Sequence, residues 1–181
     1  MKLMIASDIH GSAYYCRMLL ERFKIEKPEK LILLGDILYH GPRNALPRGY
    51  NPADVADMLN GIKDQIFSIR GNCDAEVDQM MLHFPILSDS AIVYADGHEL
   101  YLTHGHKYGE TNPPPLTNGT ILVCGHTHVP KCQDYDGYIY VNPGSVSIPK
   151  EDSPHSYIVL ENDTIVWKDI DGNEYMRREL K

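Results

Sequence analysis

Apolar and polar positions fall into two textures along the chain. Up to about Leu82, short unbroken apolar runs alternate with segments of helical period; from Ser90 onward, apolar runs are joined by tight turns. Residues 2–6 (KLMIA) read as a strand buried on both faces. Ser12 can cap a helix running to about Phe23, in which Tyr15, Leu19, Leu20 and Phe23 form an apolar stripe at helical spacing. Lys30–Leu34 is a second buried strand, followed by a polar loop through Tyr50. Asn51 and Pro52 open another helix as cap and first residue, where the missing proline N–H costs nothing. Gln65–Ile69 is a third strand, and Asp74 is placed to cap a short helix ending near Leu82.

In the second half, Asp96-Gly97 separates Ala91–Ala95 from Glu99–Thr103, a hairpin signal because both residues tolerate the positive φ of the turn. Ile121–Cys124 is a short buried run. Asp136-Gly137 turns between Cys132–Tyr135 and Tyr138–Val141, and Asn162-Asp163 between Ser156–Leu160 and Thr164–Lys168. Pro113-Pro114-Pro115 reads as a stiff surface loop, and no repeat or linker divides the chain. One domain over residues 1–181 is expected, an α/β sandwich with a two-sheet core covered by helices.

Composition narrows the function. A net charge of −8 argues against tight, non-specific binding of long nucleic acid, which needs clustered Lys and Arg. No apolar run approaches the roughly 18–20 residues of a membrane span, and Asp8 and His10 interrupt the first run too early for a signal peptide. Cys16, Cys73, Cys124 and Cys132 show no paired spacing, so they read as reduced thiols and the protein as cytoplasmic.

The chemistry lies in five polar signatures, each near a predicted strand end. They are Asp8-Ile9-His10, Gly35-Asp36, Gly71-Asn72-Cys73-Asp74, His104-Gly105 and Gly125-His126-Thr127-His128. Ligands gather beyond the carboxyl ends of strands in such layouts, so the placement points to one shared site. Asp8, His10, Asp36, Asn72, His104, His126 and His128 supply nitrogen and oxygen donors for two metal ions. Carboxylate, amide and imidazole suit Mn, Fe or Zn, and the lack of thiolate ligands argues against a structural zinc site. A shared carboxylate must offset the repulsion of two such ions, and Asp36 sits between the two ligand groups.

In this order the motifs resemble the calcineurin-like metallophosphoesterase superfamily, and the short length and GNCD form resemble its small bacterial and archaeal phosphodiesterase branch. The resemblance implies a metallophosphoesterase-like α-β-β-α sandwich of two mixed sheets flanked by helices. It places Asp8, His10, Asp36 and His128 around one ion, and Asp36, Asn72, His104 and His126 around the other. It further implies a hydroxide bridging the ions as nucleophile, with Mn the leading metal and Fe, Zn, Ni or Co also accommodated. A small phosphodiester is the implied substrate. The rivals are a phosphomonoesterase or nuclease of the same superfamily, or a non-enzymatic protein-binding scaffold of the same fold. The β-rich second half offers an edge or face for self-association into a homo-oligomer.

Many members carry His after the Asn, where it can protonate the leaving oxygen; this chain has Cys73. Cys73 is a proton donor, a small filler beside the metals, or a redox-sensitive thiol. Asp74 reads as helix cap and orienter more than as ligand. His106 and Arg43 are candidates for substrate or supporting contacts, against a plain loop role. Arg48, Arg70 and His40 stand in similar positions. His83, His98 and His155 read as structural.

Overall fold

The computed structural model describes residues 1–180. In chain order the elements are β1 (Leu3–Ala6), α1 (Ala13–Glu26), β2 (Lys30–Leu33), α2 (Pro52–Asn60), β3 (Ile66–Ser68) and α3 (Glu76–Met81), then β4 (Ser90–Ala95), β5 (His98–Thr103), β6 (Thr120–Val123), β7 (Lys131–Tyr135), β8 (Tyr138–Asn142), β9 (Ser156–Glu161), β10 (Thr164–Asp169) and β11 (Glu174–Glu179). They form two mixed sheets, one ordered β11-β10-β9-β1-β2-β3 and the other β4-β5-β6-β8-β7.

The unbroken apolar runs follow from burial on both faces. In β1, Met4 and Ala6 join the core beneath the helices, whereas Leu3 and Ile5 join the core between the sheets. β2 divides the same way, with Leu31 and Leu33 toward the helices and Ile32 toward the second sheet. Buried Trp167 of β10 donates its indole N–H to the Asn142 carbonyl of β8 at 2.7 Å, linking the two sheets. On the outer face of the second sheet, Leu122, Cys124 and Tyr140 pack with Tyr101, Leu116 and Tyr138, so a loop residue helps cover that side while the helical layer covers the first sheet.

The caps are partly as expected. Ser12 accepts the Tyr15 N–H at 3.2 Å, and Asn51 accepts that of Asp54 at 3.3 Å. α1 runs to Glu26, past Phe23, and ends on left-handed Lys27. Its buried stripe is Ala13, Cys16, Leu19 and Phe23, with Tyr15 and Leu20 only partly covered. Asp74 does not cap α3. That helix starts after Ala75, whose N–H donates to Asp78 at 2.8 Å, because the Asp74 carboxylate is drawn inward to three other backbone donors. β11 was not expected from EYMRRE; as a sheet edge it needs little apolar surface, and its charges suit that position.

No described helix is long and apolar enough to cross a membrane. The polar signatures occupy the loops just beyond β1, β2, β3, β5 and β6, and so meet at one end of the sandwich.

Candidate metal centre

The backbone here is held where L-residues rarely go. Asp8, His10, Asp36, His126 and His128 all have positive φ, between 48° and 67°. Such strain costs about 1–3 kcal/mol per residue and persists only where surrounding bonds over-determine it. Those bonds are present. The Asp8 carbonyl accepts the hydroxyls of Ser145 at 2.9 Å and Ser147 at 3.1 Å, and the His10 N–H donates to the Asp36 carbonyl at 2.9 Å. At Gly71 a Cβ would run into Asp36, so glycine there permits the close crossing of two site loops.

Three imidazoles are locked in one tautomer. Nδ1 of His10 lies 2.8 Å from the Tyr39 carbonyl, that of His104 2.6 Å from Leu34, and that of His128 2.7 Å from Ile148. A carbonyl only accepts, so each Nδ1 carries a proton and each neutral ring turns the Nε2 lone pair inward. The lone pairs then face other acceptors: Nε2 of His10 and His128 are 3.2 Å apart, and Nε2 of His104 lies 3.1 Å from Asn72 Oδ1. Opposed acceptors repel unless a proton or a metal cation lies between them.

The carboxylates complete that demand. Asp8 Oδ1 is buried without a hydrogen-bond partner, 3.2 Å from His128 Nε2 and 3.5 Å from His10 Nε2. Asp36 Oδ2 lies between two rings, 3.7 Å from His10 Nε2 and 3.4 Å from His104 Nε2. The other oxygens are tied down, Asp8 Oδ2 by the His126 N–H at 3.0 Å and Asp36 Oδ1 by the Cys73 N–H at 2.8 Å. Ligand atoms of Asp8, His10 and His128, and of Asp8, Asp36 and His104, lie within 4.8 Å of one another. The donor set therefore fits divalent cations.

The titration shifts show the same field. Burial raises the Asp8 carboxyl, but the facing His10, His128 and His104 rings override it and leave it well below the usual range. Burial would lower His104; the Asp36 contact and the charges of Asp8 and Asp36 instead push it up to about 9. His126 is pulled down to about 4 by burial and the neighbouring His104 charge. A site that holds a proton this firmly is built to hold a cation.

The remaining candidates sort by position. Asn72, Cys73, Arg43, His126 and His128 line a cavity of about 500 Å³ with His10 and Asp36. His126 sits with its ring centroid 5.1 Å from that of His104. Cys73 Sγ lies within 4.8 Å of ligand atoms of His10 and Asp36, so a sulfur does stand beside the oxygen and nitrogen donors. Its thiol is pushed up to about 12 by burial and then by the Asp36 charge.

Asp74, buried, accepts the N–H groups of Asp36, Ile37 and Gly71 at 2.7–2.9 Å and so orients the Asp36 loop. His106 does not line the cavity; its ring is 5.4 Å from His104 and 6.2 Å from His126. Arg48 stacks on Tyr14 at 3.7 Å, and Arg70 pairs with Glu76 at 3.5 Å, so neither is a rim cation. His98 pairs with Asp163 and His155 stacks on Tyr15, in structural roles. Sequence reasoning missed Thr127, Asn44 and Lys150, which also line the cavity. Lys150 carried no motif signal, because only tertiary folding brings residues 143–155 beside His128.

Fold and site together define a metallophosphoesterase, and the comparisons with known proteins agree. Residues 1–164 match the calcineurin-like phosphoesterase superfamily domain, and the chain belongs to that superfamily. It is 50% identical over 165 residues to phosphodiesterase YfcE of Escherichia coli, a match covering 91% of this chain and 90% of that one. The solved structure of E. coli YfcE, described as a phosphoesterase, superposes with a TM-score of 0.97 at 46% identity over the whole of both chains. Vps29 of Entamoeba histolytica, solved with zinc, matches with a TM-score of 0.64 at 19% identity over 98% of each chain, a likeness of fold alone.

Proposed function

We propose that this protein is a divalent-metal-dependent phosphodiesterase that hydrolyses small phosphodiesters, with manganese as its metal. The observation that carries this reading is the set of opposed acceptors, His10 against His128 and His104 against Asn72, closed around the unpartnered Asp8 oxygen. Asp8, His10, Asp36 and His128 would hold one ion; Asp36, Asn72, His104 and His126 would hold the other. Two divalent ions bound there would supply a water acidified enough to attack phosphorus at neutral pH and positive charge for the phosphoryl oxygens.

The protein's own residues do the positioning. The carbonyls of Leu34, Tyr39 and Ile148 fix the rings, Asp74 fixes the Asp36 loop, and the cavity beside the donors receives the ester. The diester preference draws support from the 50% identical relative named a phosphodiesterase and from a cavity with two lining cations among the described residues. The net charge of −8 counts against long nucleic acid as substrate. Manganese rests on the family resemblance, and the oxygen and nitrogen donors are compatible with it. Four unpaired thiols favour a cytoplasmic setting.

An aryl diester, an aryl monoester and DNA assayed side by side with manganese test the proposal. The diester should be turned over well ahead of the other two, chelation should abolish turnover, and added metal should restore it. Asp36→Ala should lose at least one metal and at least ~100-fold in activity, since even outer-shell changes cost about 10–100-fold. Full activity after both ions have been stripped would sink the two-metal reading.

A further inference from the structure

We propose that Arg43 and Lys150 form a rim that selects diesters carrying a second phosphate on one arm. This deepens the phosphodiesterase reading and rests on it. Arg43 comes from the loop between β2 and α2, Lys150 from the loop between β8 and β9, and the two loops meet at the cavity that holds the metal donors. Both side chains reach solvent, and neither has a carboxylate partner among the described residues. Lys2, Arg70, Lys107, Lys131, Lys168, Arg177 and Arg178 do find acids, whereas Arg43 and Lys150 stay free beside the cavity. Arg48, on the same loop as Arg43, is stacked on Tyr14, so the loops leave only these two cations turned to the cavity.

Lys150 is also held in register with the centre. Its N–H donates to the His128 carbonyl at 3.2 Å, and its carbonyl accepts the Ser153 hydroxyl at 2.6 Å. His128 in turn donates to the Ile148 carbonyl. The backbone beneath Lys150 is thus fixed to a metal donor while the side chain remains free to reach a ligand.

Charge decides the ligand. The single charge of a diester phosphate belongs at the metals, so two further cations call for roughly two more negative charges. A terminal phosphate carries about −1.5 to −2 at neutral pH, and the arginine fork suits its oxygens. A cavity of about 500 Å³ has room for such an arm.

The test compares thymidine 5′-(p-nitrophenyl phosphate) with the same ester bearing a 3′-phosphate, a pair with one leaving group and one difference. With manganese-loaded wild type at low salt, the 3′-phosphorylated ester should have the higher kcat/KM by about 10-fold, as two exposed charge-assisted contacts allow. Added salt should shrink that preference. Arg43→Gln and Lys150→Gln should each remove part of it, and the double variant all of it; Lys24→Gln, the same charge change on α1, should keep it. Calorimetry should show thymidine 3′,5′-bisphosphate binding more tightly than thymidine 5′-monophosphate in wild type and equally in the double variant. Equal kcat/KM values in wild type, or a preference that survives in the double variant, would overturn the rim. If wild type hydrolyses neither ester, the phosphodiesterase reading falls instead, and the calorimetric pair still decides the rim.

Discussion

At the scale of single residues, Cys73 shows how position limits chemistry. A general acid works best with a pKa near the working pH, and a thiol pushed up to about 12 by burial and the Asp36 charge is far from it. That shift belongs to the metal-free protein, and the rates of two variants decide between Cys73 as a filler beside the donors and Cys73 as a proton donor. Cys73→Ala should keep most activity on nitrophenyl diesters, whose leaving group needs no proton. Cys73→His brings a group with an ordinary pKa of ~6.5 to the same place, and should raise rates on alkyl diesters by up to ~100-fold, the lower end of general acid catalysis. The ratio of rates on activated and unactivated diesters across the three proteins is the measurement. Loss of most nitrophenyl activity in Cys73→Ala, with metals retained, would show a role for the thiol that packing does not explain.

At the scale of elements, two carboxylates join segments that the sequence keeps far apart. Asp74 gathers three buried N–H groups from the loops after β2 and β3. Asp74→Ala would leave them unpaired, at about 1–3 kcal/mol for each buried donor, so thermal stability and metal retention should fall together. Glu26, at the end of α1, accepts from Lys2, Lys168 and Tyr157 and so ties that helix to the first sheet. Burial opposes its charge, but the two lysines prevail and hold its pKa below the ordinary 4.5. Its contribution is complete above that value and fades as the pH falls through the lowered folded one. Glu26→Gln should thus cost about 1–2 kcal/mol at neutral pH, with the gap in melting temperature closing in acid. A gap that persists unchanged in acid would mean that the ion pairs contribute nothing. Element legibility followed local physics. Asp96-Gly97 and Asn162-Asp163 were readable because both central residues of each turn adopt positive φ. Asp74 misled because local capping rules are silent about donors that arrive from another loop. β11 was hidden because an edge strand needs no apolar pattern.

At the scale of the whole molecule, the centre is where the two sheets are joined by their loops. Asp8, Asp36 and Asn72 follow strands of the first sheet, while His104, His126 and His128 follow strands of the second. The donors were legible because their chemistry is written in their side chains. The carbonyls of Leu34, Tyr39 and Ile148 that set the tautomers were not, because every residue has a carbonyl and only the fold selects three. Metals bound there should act as a staple across the sandwich. At free metal about 100 times Kd, binding to the folded state alone stabilises by about 2.7 kcal/mol, which for a chain of this size raises the melting temperature by about 5–10 °C. The pH dependence follows from His104. Its folded pKa of about 9 lies above the ordinary 6.5, so its proton stabilises the metal-free protein fully below 6.5, and that stabilisation is lost as the pH rises through about 9. Metal must displace the same proton, so binding strengthens over the same interval. The melting-temperature gap between metal-loaded and chelated protein should widen from pH 6.5 to about 9, and metal binding at neutral pH should release a proton, seen as a buffer-dependent heat of binding. A gap that stays flat, with no buffer dependence, would show that His104 holds no proton for the metal to displace.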